Sequence, residues 1–587
     1  MHQGSDRLTS EPDTLASQAA LPWHRRRFGG VPMMMLAGVC ALVALLWFGT
    51  LEFRHLIGPD EGRYAEIARE MFVSGDWVTI RYNALKYFEK PPFHMWVTAL
   101  SYVLFGIGDW QARLCVALAG AFGLLASMLA AHRWFGARAA LLTGLVMVAA
   151  PMWSVAAHFN TLDMTLSGAM ACVLAFMLLA QHPDATPATR RNWMLACWLA
   201  MGVAILTKGL VGIALPGLVL VIYTLVTRDL GLWRRLHLAS GIALMLLVAA
   251  PWFWLVSERN PEFLRFFFIH EHWERYTSNV HSRKGPLLYF VPLVIGGFLP
   301  WLGLVPRMWR AVRERAGVAA GNAPRPFQPA LLAAIWAVAI FVFFSLSHSK
   351  LPGYILPVFP ALGILGGVAL DSINERSWRR QLVGGLAIGI IGLLASPIVA
   401  TLNSNNTPNT LYRAYAIWVA VAFGLMIAST LAARWLLPRR GLMASITVYA
   451  IGMCVAFSSA LLGHEVIGRS ASGIDMIAPV ARVLRPEMKL YSVRVLDHTL
   501  PFYLRHTLVM VERPDELEFG VTQEPQKWQP TTASFLAAWQ DGQPAMAIMS
   551  PDTFAELSQR APMYVVARDW RRVAVTNFAV NAPAPQR

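Results

Sequence analysis

Apolar residues fall in long blocks separated by short polar turns over the first 463 positions of the chain, with no period-two alternation. Fourteen such runs lie near 32–51, 91–107, 111–132, 137–155, 160–181, 192–206, 210–226, 236–256, 286–305, 329–347, 351–370, 380–401, 412–436 and 441–463. A helix needs about 20 residues to cross the hydrocarbon core, and most of the runs reach or approach that length. The pattern predicts a polytopic α-helical membrane protein and argues against a β-barrel, whose strands alternate. After position 463 the pattern changes. KLYSVRV (489–495), TLVMVER (507–513), AMAIMS (545–550), MYVVARD (563–569) and RRVAVTN (571–577) read as short strands, and Asp552–Gln559 reads as helix. This divides the chain into a transmembrane domain, 1–463, and a soluble α/β domain, 464–587.

Lys and Arg set the orientation. Arg25–Arg27, HRWFGAR (132–138), Arg190-Arg191, Arg228–Arg235, Arg307–Arg315, Arg376–Arg380 and Arg434–Arg440 sit in turns that the positive-inside rule makes cytoplasmic. If all the runs crossed, HRWFGAR would lie outside. The run 91–107 is short, opens on Pro91-Pro92 and carries His94. It is therefore expected to lie at the outer interface. That leaves about 13 transmembrane helices, an N-terminus inside, an outer loop over 52–110 and the C-terminal domain outside. The polar first 31 residues, followed by a run long enough to span, argue against a cleavable signal peptide.

Composition supports this reading. The chain is 56% hydrophobic and only 14% charged, against roughly 25% charged in a soluble protein. The net charge of +16 does not point to nucleic acid, because the basic residues sit in turns between apolar runs. It suits anionic membrane lipids instead. The five cysteines all lie inside apolar runs without CxxC spacing, so neither a disulfide framework nor a thiolate metal site is expected.

Candidate chemistry gathers in the polar stretches assigned to the outer face. Asp60 and Glu61 with Arg63 follow the first run. Their place immediately outside a span suits a carboxylate site at the membrane edge; the alternative is the acidic first turn of a helix. Tyr87, Glu89 and Lys90 stand in KYFEKPP (86–92), where a Lys at headgroup depth suits a phosphate or serves as an interfacial anchor. Asp163 stands on an otherwise apolar stretch, three residues beyond Asn160, and a carboxylate there is costly unless it has a function. FFFIHEHWERY (266–276) lacks the HExxH pattern, yet His270 with Glu89 makes a possible divalent-metal pair. Lys208 in LTKGL, with Lys350 and Tyr354 in SHSKLPGYILP, places cations on the outer side against the charge trend. An anionic ligand accounts for them, as does snorkelling.

PDEGRYAEIAREMFVSGDWV, YFEKPP, TLDMTL, LTKG and SKLPGYILP together carry a resemblance. The chain resembles the membrane glycosyltransferases related to protein O-mannosyltransferases, and most closely the bacterial 4-amino-4-deoxy-L-arabinose lipid A transferases. The resemblance implies a GT-C type membrane core with a periplasmic soluble domain, in the bacterial inner membrane. It implies an undecaprenyl-phosphate-linked sugar donor, a lipid A acceptor, no required cofactor, and resistance to cationic antimicrobial peptides as the outcome. It also implies Asp60 and Asp163 as the catalytic carboxylates, with Glu61 in support. Arg63 and Lys90 would bind the donor phosphate. The charge that builds on a departing phosphate makes Lys208, Lys350 and Tyr354, with Tyr87 near Lys90, further candidates to bind it. Two other readings use the same features: transfer of a lipid-linked sugar to protein or another glycan, and transport of a lipid-linked substrate. The second expects inverted repeats and polar groups at mid-depth, and the sequence presents neither.

Overall fold

The computed structural model describes residues 27–274, 285–315, 327–404 and 406–580, except for the side chains of 270–274 and 315. The membrane part is mainly helical. Its main helices are α1 (Met33–Phe48), α2 (Asp60–Ser74), α3 (Phe93–Phe105), α4 (Asp109–Val148), α5 (Leu162–Ala180), α6 (Pro187–Lys208), α7 (Val211–Thr227) and α8 (Leu238–Arg259). They continue with α9 (Phe290–Gly297), α10 (Val305–Arg315), α11 (Pro329–Leu346), α12 (Phe359–Asp371), α13 (Glu375–Val399) and α14 (Asn409–Gly463).

Among the described residues, 7 helices are long and apolar enough to cross a bilayer, or 8 if the pair around Phe298, bent by 86°, is one span. The sequence pattern led to a larger number for two physical reasons. Gly136 (φ +90°) breaks α4 and Gly441 (φ +79°) breaks α14, so each is a pair of helices joined at a bend. Both glycines lie in the basic turns HRWFGAR and RWLLPRRG, and only glycine adopts such a φ without strain. The helices α1 and α7 are apolar but, at 16 and 17 residues, shorter than the spans just counted. The segment expected at the outer interface forms α3, whose 13 residues span about 20 Å and fall short of the hydrocarbon thickness. It is two-faced: His94, Met95, Thr98, Ala99 and Tyr102 are buried, whereas Leu100, Val103, Leu104 and Phe105 are exposed.

The strands expected in the C-terminal part all form. A small hairpin precedes them in the first loop, β1 (Arg81–Tyr82) with β2 (Leu85–Lys86). The C-terminal strands are β3 (Lys489–Val493), β4 (Leu508–Val511), β5 (Trp528–Gln529), β6 (Ala545–Met549), β7 (Tyr564–Arg568) and β8 (Val573–Thr576). They make one six-stranded sheet in the order β5-β4-β3-β6-β8-β7, parallel except at β8, which is antiparallel to both neighbours. Successive strand residues face opposite ways, and here both sides are covered. Tyr491, Val493, Ala547 and Met549 pack on Phe535 and Trp539. Leu490, Met510, Met546 and Ile548 join a core shared with Tyr64, Ile67 and Met71 of α2, with Tyr82 and Leu85 of the hairpin, and with Met95 of α3. The C-terminal domain is thus cemented to the first outer loop by one continuous apolar cluster.

Candidate active site

Helix α2 starts where the sequence supplies a helix start. Asp60 and Glu61 occupy the positive first turn, and Gly75 in the left-handed region closes the far end. Asp60 and Glu61 then diverge. The Asp60 side chain is 41% exposed and that of Glu61 is 1% exposed. Glu61 is gripped by Arg113 of α4, at 2.7 and 3.1 Å, and accepts the backbone N–H of Asn160 at 3.1 Å. Asn160 also accepts from His94 Nε2 at 2.8 Å, and His94 Nδ1 meets the Thr165 hydroxyl at 2.8 Å. Glu61 therefore ties the start of α2 to the start of α5, which carries Asp163.

This tie brings both carboxylates to one cavity of about 230 Å³. Asp60, Arg63, Glu89, Lys90, Asp163, Lys208 and Tyr354 all line it, so the scattered sequence candidates converge. Lys208 ends α6 and donates to Asp163, with its ammonium 4.3 Å from the centre of the Tyr354 ring. Arg63 Nη1 donates to Asp60 at 3.0 Å. Lys90 donates to the Glu89 carbonyl at 2.9 Å, with its ammonium 3.6 Å from that residue's carboxylate. The rest of the wall is mainly apolar, with Leu162, Leu166, Val211, Phe343, Phe344 and Pro357, and includes Ser347 and Ser349. Charge of both signs beside a greasy wall suits a ligand that is part phosphate, part sugar and part hydrocarbon. An apolar cavity of about 260 Å³ between α1, α4 and α14 has no charged lining residue and offers nothing to hold a phosphate.

Three candidates sit differently from the sequence expectation. Glu61 is behind the wall, on Arg113. Tyr87 is 2% exposed, packs edge-on against Tyr82 with ring centres 5.8 Å apart, and its buried hydroxyl has no partner among the described residues. Lys350 is also buried just behind the wall and donates to the carbonyl of Ser347, a lining residue, at 2.5 Å. The His270 side chain lies outside the described residues. Among those described, no group of three or more His, Cys, Asp or Glu is arranged to hold a metal ion.

The structure adds residues that the sequence pattern does not mark. Glu516 of the C-terminal domain takes Arg63 in a two-pronged ion pair, at 2.6 and 2.5 Å. Burial pushes its carboxyl up to about 7 against the pull of Arg63. His498, which burial and the nearby Arg63 push down to about 3, stays neutral and meets the Tyr82 hydroxyl at 2.9 Å. Gly353 passes so close to Asp163 that a Cβ there would overlap the carboxylate.

A helical membrane core, a carboxylate-and-cation cavity at the helix ends and a docked α/β domain define a membrane glycosyltransferase acting on lipid-linked sugars. Residues 89–254 match the family described as dolichyl-phosphate-mannose-protein mannosyltransferase, and residues 476–577 match the aminoarabinose transferase C-terminal domain. The undecaprenyl phosphate-α-4-amino-4-deoxy-L-arabinose arabinosyl transferase of Erwinia tasmaniensis is 28% identical, over 89% of this chain and 94% of its own. That of Edwardsiella ictaluri is 30% identical, over 67% and 71%. The crystal structure of ArnT from Cupriavidus metallidurans bound to undecaprenyl phosphate is 65% identical, with a TM-score of 0.90, covering 94% of this chain and 99% of that one. The chain belongs to the undecaprenyl phosphate-aminoarabinose arabinosyl transferase family.

Proposed function

We propose that this enzyme moves 4-amino-4-deoxy-L-arabinose from undecaprenyl phosphate to a phosphate of lipid A, with inversion, at the cavity between Asp60 and Asp163. The observation that carries the reading is the convergence of Arg63, Lys90 and Lys208 with these two carboxylates beside an apolar wall. In the reaction the bond from the anomeric carbon to the donor phosphate oxygen breaks, and an acceptor phosphate oxygen bonds to the opposite face. Charge grows on the departing undecaprenyl phosphate, where Arg63, Lys90 and Lys208 stabilise it, while the sugar becomes oxocarbenium-like. The hydrocarbon chain runs along Phe343, Phe344 and Val211. A lipid A phosphate is already ionised at neutral pH, its second pKa being about 6. Asp60 therefore orients the acceptor or the donor's amino sugar rather than removing a proton, and Asp163 supports it. The site faces the periplasm from the inner membrane, the side opposite the basic turns.

Mass spectrometry of lipid A from cells with and without the gene tests substrate and acceptor together. The expected result is a mass increment matching aminoarabinose that disappears on deletion. Transfer to a peptide or another glycan in place of lipid A would sink the acceptor assignment. Asp60→Asn in folded, purified protein is expected to lose transfer, and normal transfer would end the role given to Asp60.

A further inference from the structure

Glu516 lies 453 positions beyond Arg63, on a short 3-10 turn (Asp515–Leu517) of the C-terminal domain, and its side chain is only 15% exposed. It holds Arg63 through both Nε and Nη2, the fork-on-fork geometry that fixes the plane of a guanidinium. With that edge occupied, Nη1 is the corner turned to Asp60 at the cavity. The other charged and titratable groups around Glu516 are His498, whose Nδ1 is 3.7 Å away, Asp515, Glu89, Tyr82 and Tyr87. A buried ion pair is a poor source of net stability, because apolar side chains of similar volume often do as well or better. Its position at the rim of the cavity points instead to a role in aiming Arg63.

We infer that Glu516 is a positioning residue that aims the Arg63 guanidinium at the donor's departing phosphate, so that the C-terminal domain supplies part of the active site. This rests on the reading above that Arg63 serves the donor phosphate. The phosphate gains charge as the sugar leaves. A donor group already fixed in direction stabilises that charge more than the ground state, whereas a loose Arg63 still reaches the ground-state phosphate. Glu516 should therefore matter for kcat and little for KM.

The test is steady-state kinetics of Glu516→Gln, Arg63→Ala and the double variant, with an undecaprenyl-phosphate-linked aminoarabinose donor and lipid A. Glu516→Gln is expected to lower kcat about tenfold with donor KM changed by less than about threefold. In the Arg63→Ala background it should change kcat by less than about twofold, since the group it aims is gone. Full kcat in Glu516→Gln, or effects that multiply in the double variant, would overturn the proposal. Normal transfer by Arg63→Ala would instead overturn the phosphate role of Arg63, and the aiming role with it. Should Glu516→Gln fail to fold, Glu516→Met, of similar volume and with no carboxyl to bury, carries the same expectations.

Discussion

Gly62 packs directly on the backbone carbonyl of His498, so closely that a Cβ on Gly62 would overlap that oxygen. This contact sets the distance between α2, with Asp60 and Arg63, and the C-terminal domain, with Glu516. The obstacle is backbone, which cannot swing aside like a side chain. Gly62→Ala should therefore push the two parts apart, at a cost of about 1–3 kcal/mol. A lower melting temperature, together with sugar transfer reduced about tenfold, is the expected outcome. Unchanged melting and activity would show that the interface relaxes freely.

Gly353 bears on Asp163 in the same way, but its obstacle is the carboxylate itself. Gly353→Ala should displace Asp163 from Lys208 with little effect on the apolar core. Transfer activity is expected to fall about tenfold or more, while the melting temperature stays within a few degrees. A large drop in melting temperature with activity retained per folded molecule would contradict this.

Lys208 pairs with Asp163 and sits over Tyr354. Lys208→Met keeps an unbranched apolar stem of nearly the same length and removes the charge. A lost charge-stabilising group should lower kcat about a hundredfold. Kinetics at saturating donor measure this directly, and a change confined to KM would reassign Lys208 to ground-state binding.

Glu70 of α2 points away from the cavity and accepts the Ala84 N–H with both oxygens, at 3.0 and 2.8 Å. Glu66, one turn earlier, is bound by Arg69 at 2.6 and 2.7 Å. Burial first, and the Glu66 charge second, push the Glu70 carboxyl up from 4.5 to about 8. The folded protein thus keeps a proton that the unfolded chain loses above pH 4.5. The contribution of Glu70 to stability is full below that pH and is lost as pH rises through 8. Glu70→Gln should flatten the melting temperature against pH between 4.5 and 8 and raise it at pH 9. Parallel curves for the two proteins would refute the shift.

The site was legible in sequence as far as residue types out of place could reveal it. Asp163, Lys208, Lys90 and Arg63 stand out because charge beside apolar runs is costly, and the fold gathers them at one cavity. Glu516 and His498 carried no such signal. They lie in a soluble domain where charged residues are ordinary, and their importance comes from partners hundreds of positions away. Phe343 and Phe344 were invisible for the opposite reason, since two more aromatics in an apolar helix look like lipid-facing residues.

By itself the sequence determined what depends on sums and periods along the chain. Long apolar runs must be helices in a bilayer, where backbone groups have no water to bond. Alternating or short continuous β-rich segments become strands, and all those expected at the C-terminal end appear. Only the tertiary structure decided directions. Asp60 and Glu61 are adjacent, both acidic, and equivalent as a helix start. On an α-helix, neighbouring side chains point about 100° apart. One therefore faces the cavity, and the other faces Arg113 and Asn160. Which carboxylate faces the cavity, and which fastens α2 to α5, is settled by how the helix is rotated against its neighbours. That rotation is fixed by packing spread over the whole outer face, including the C-terminal sheet, and no local stretch of sequence contains it.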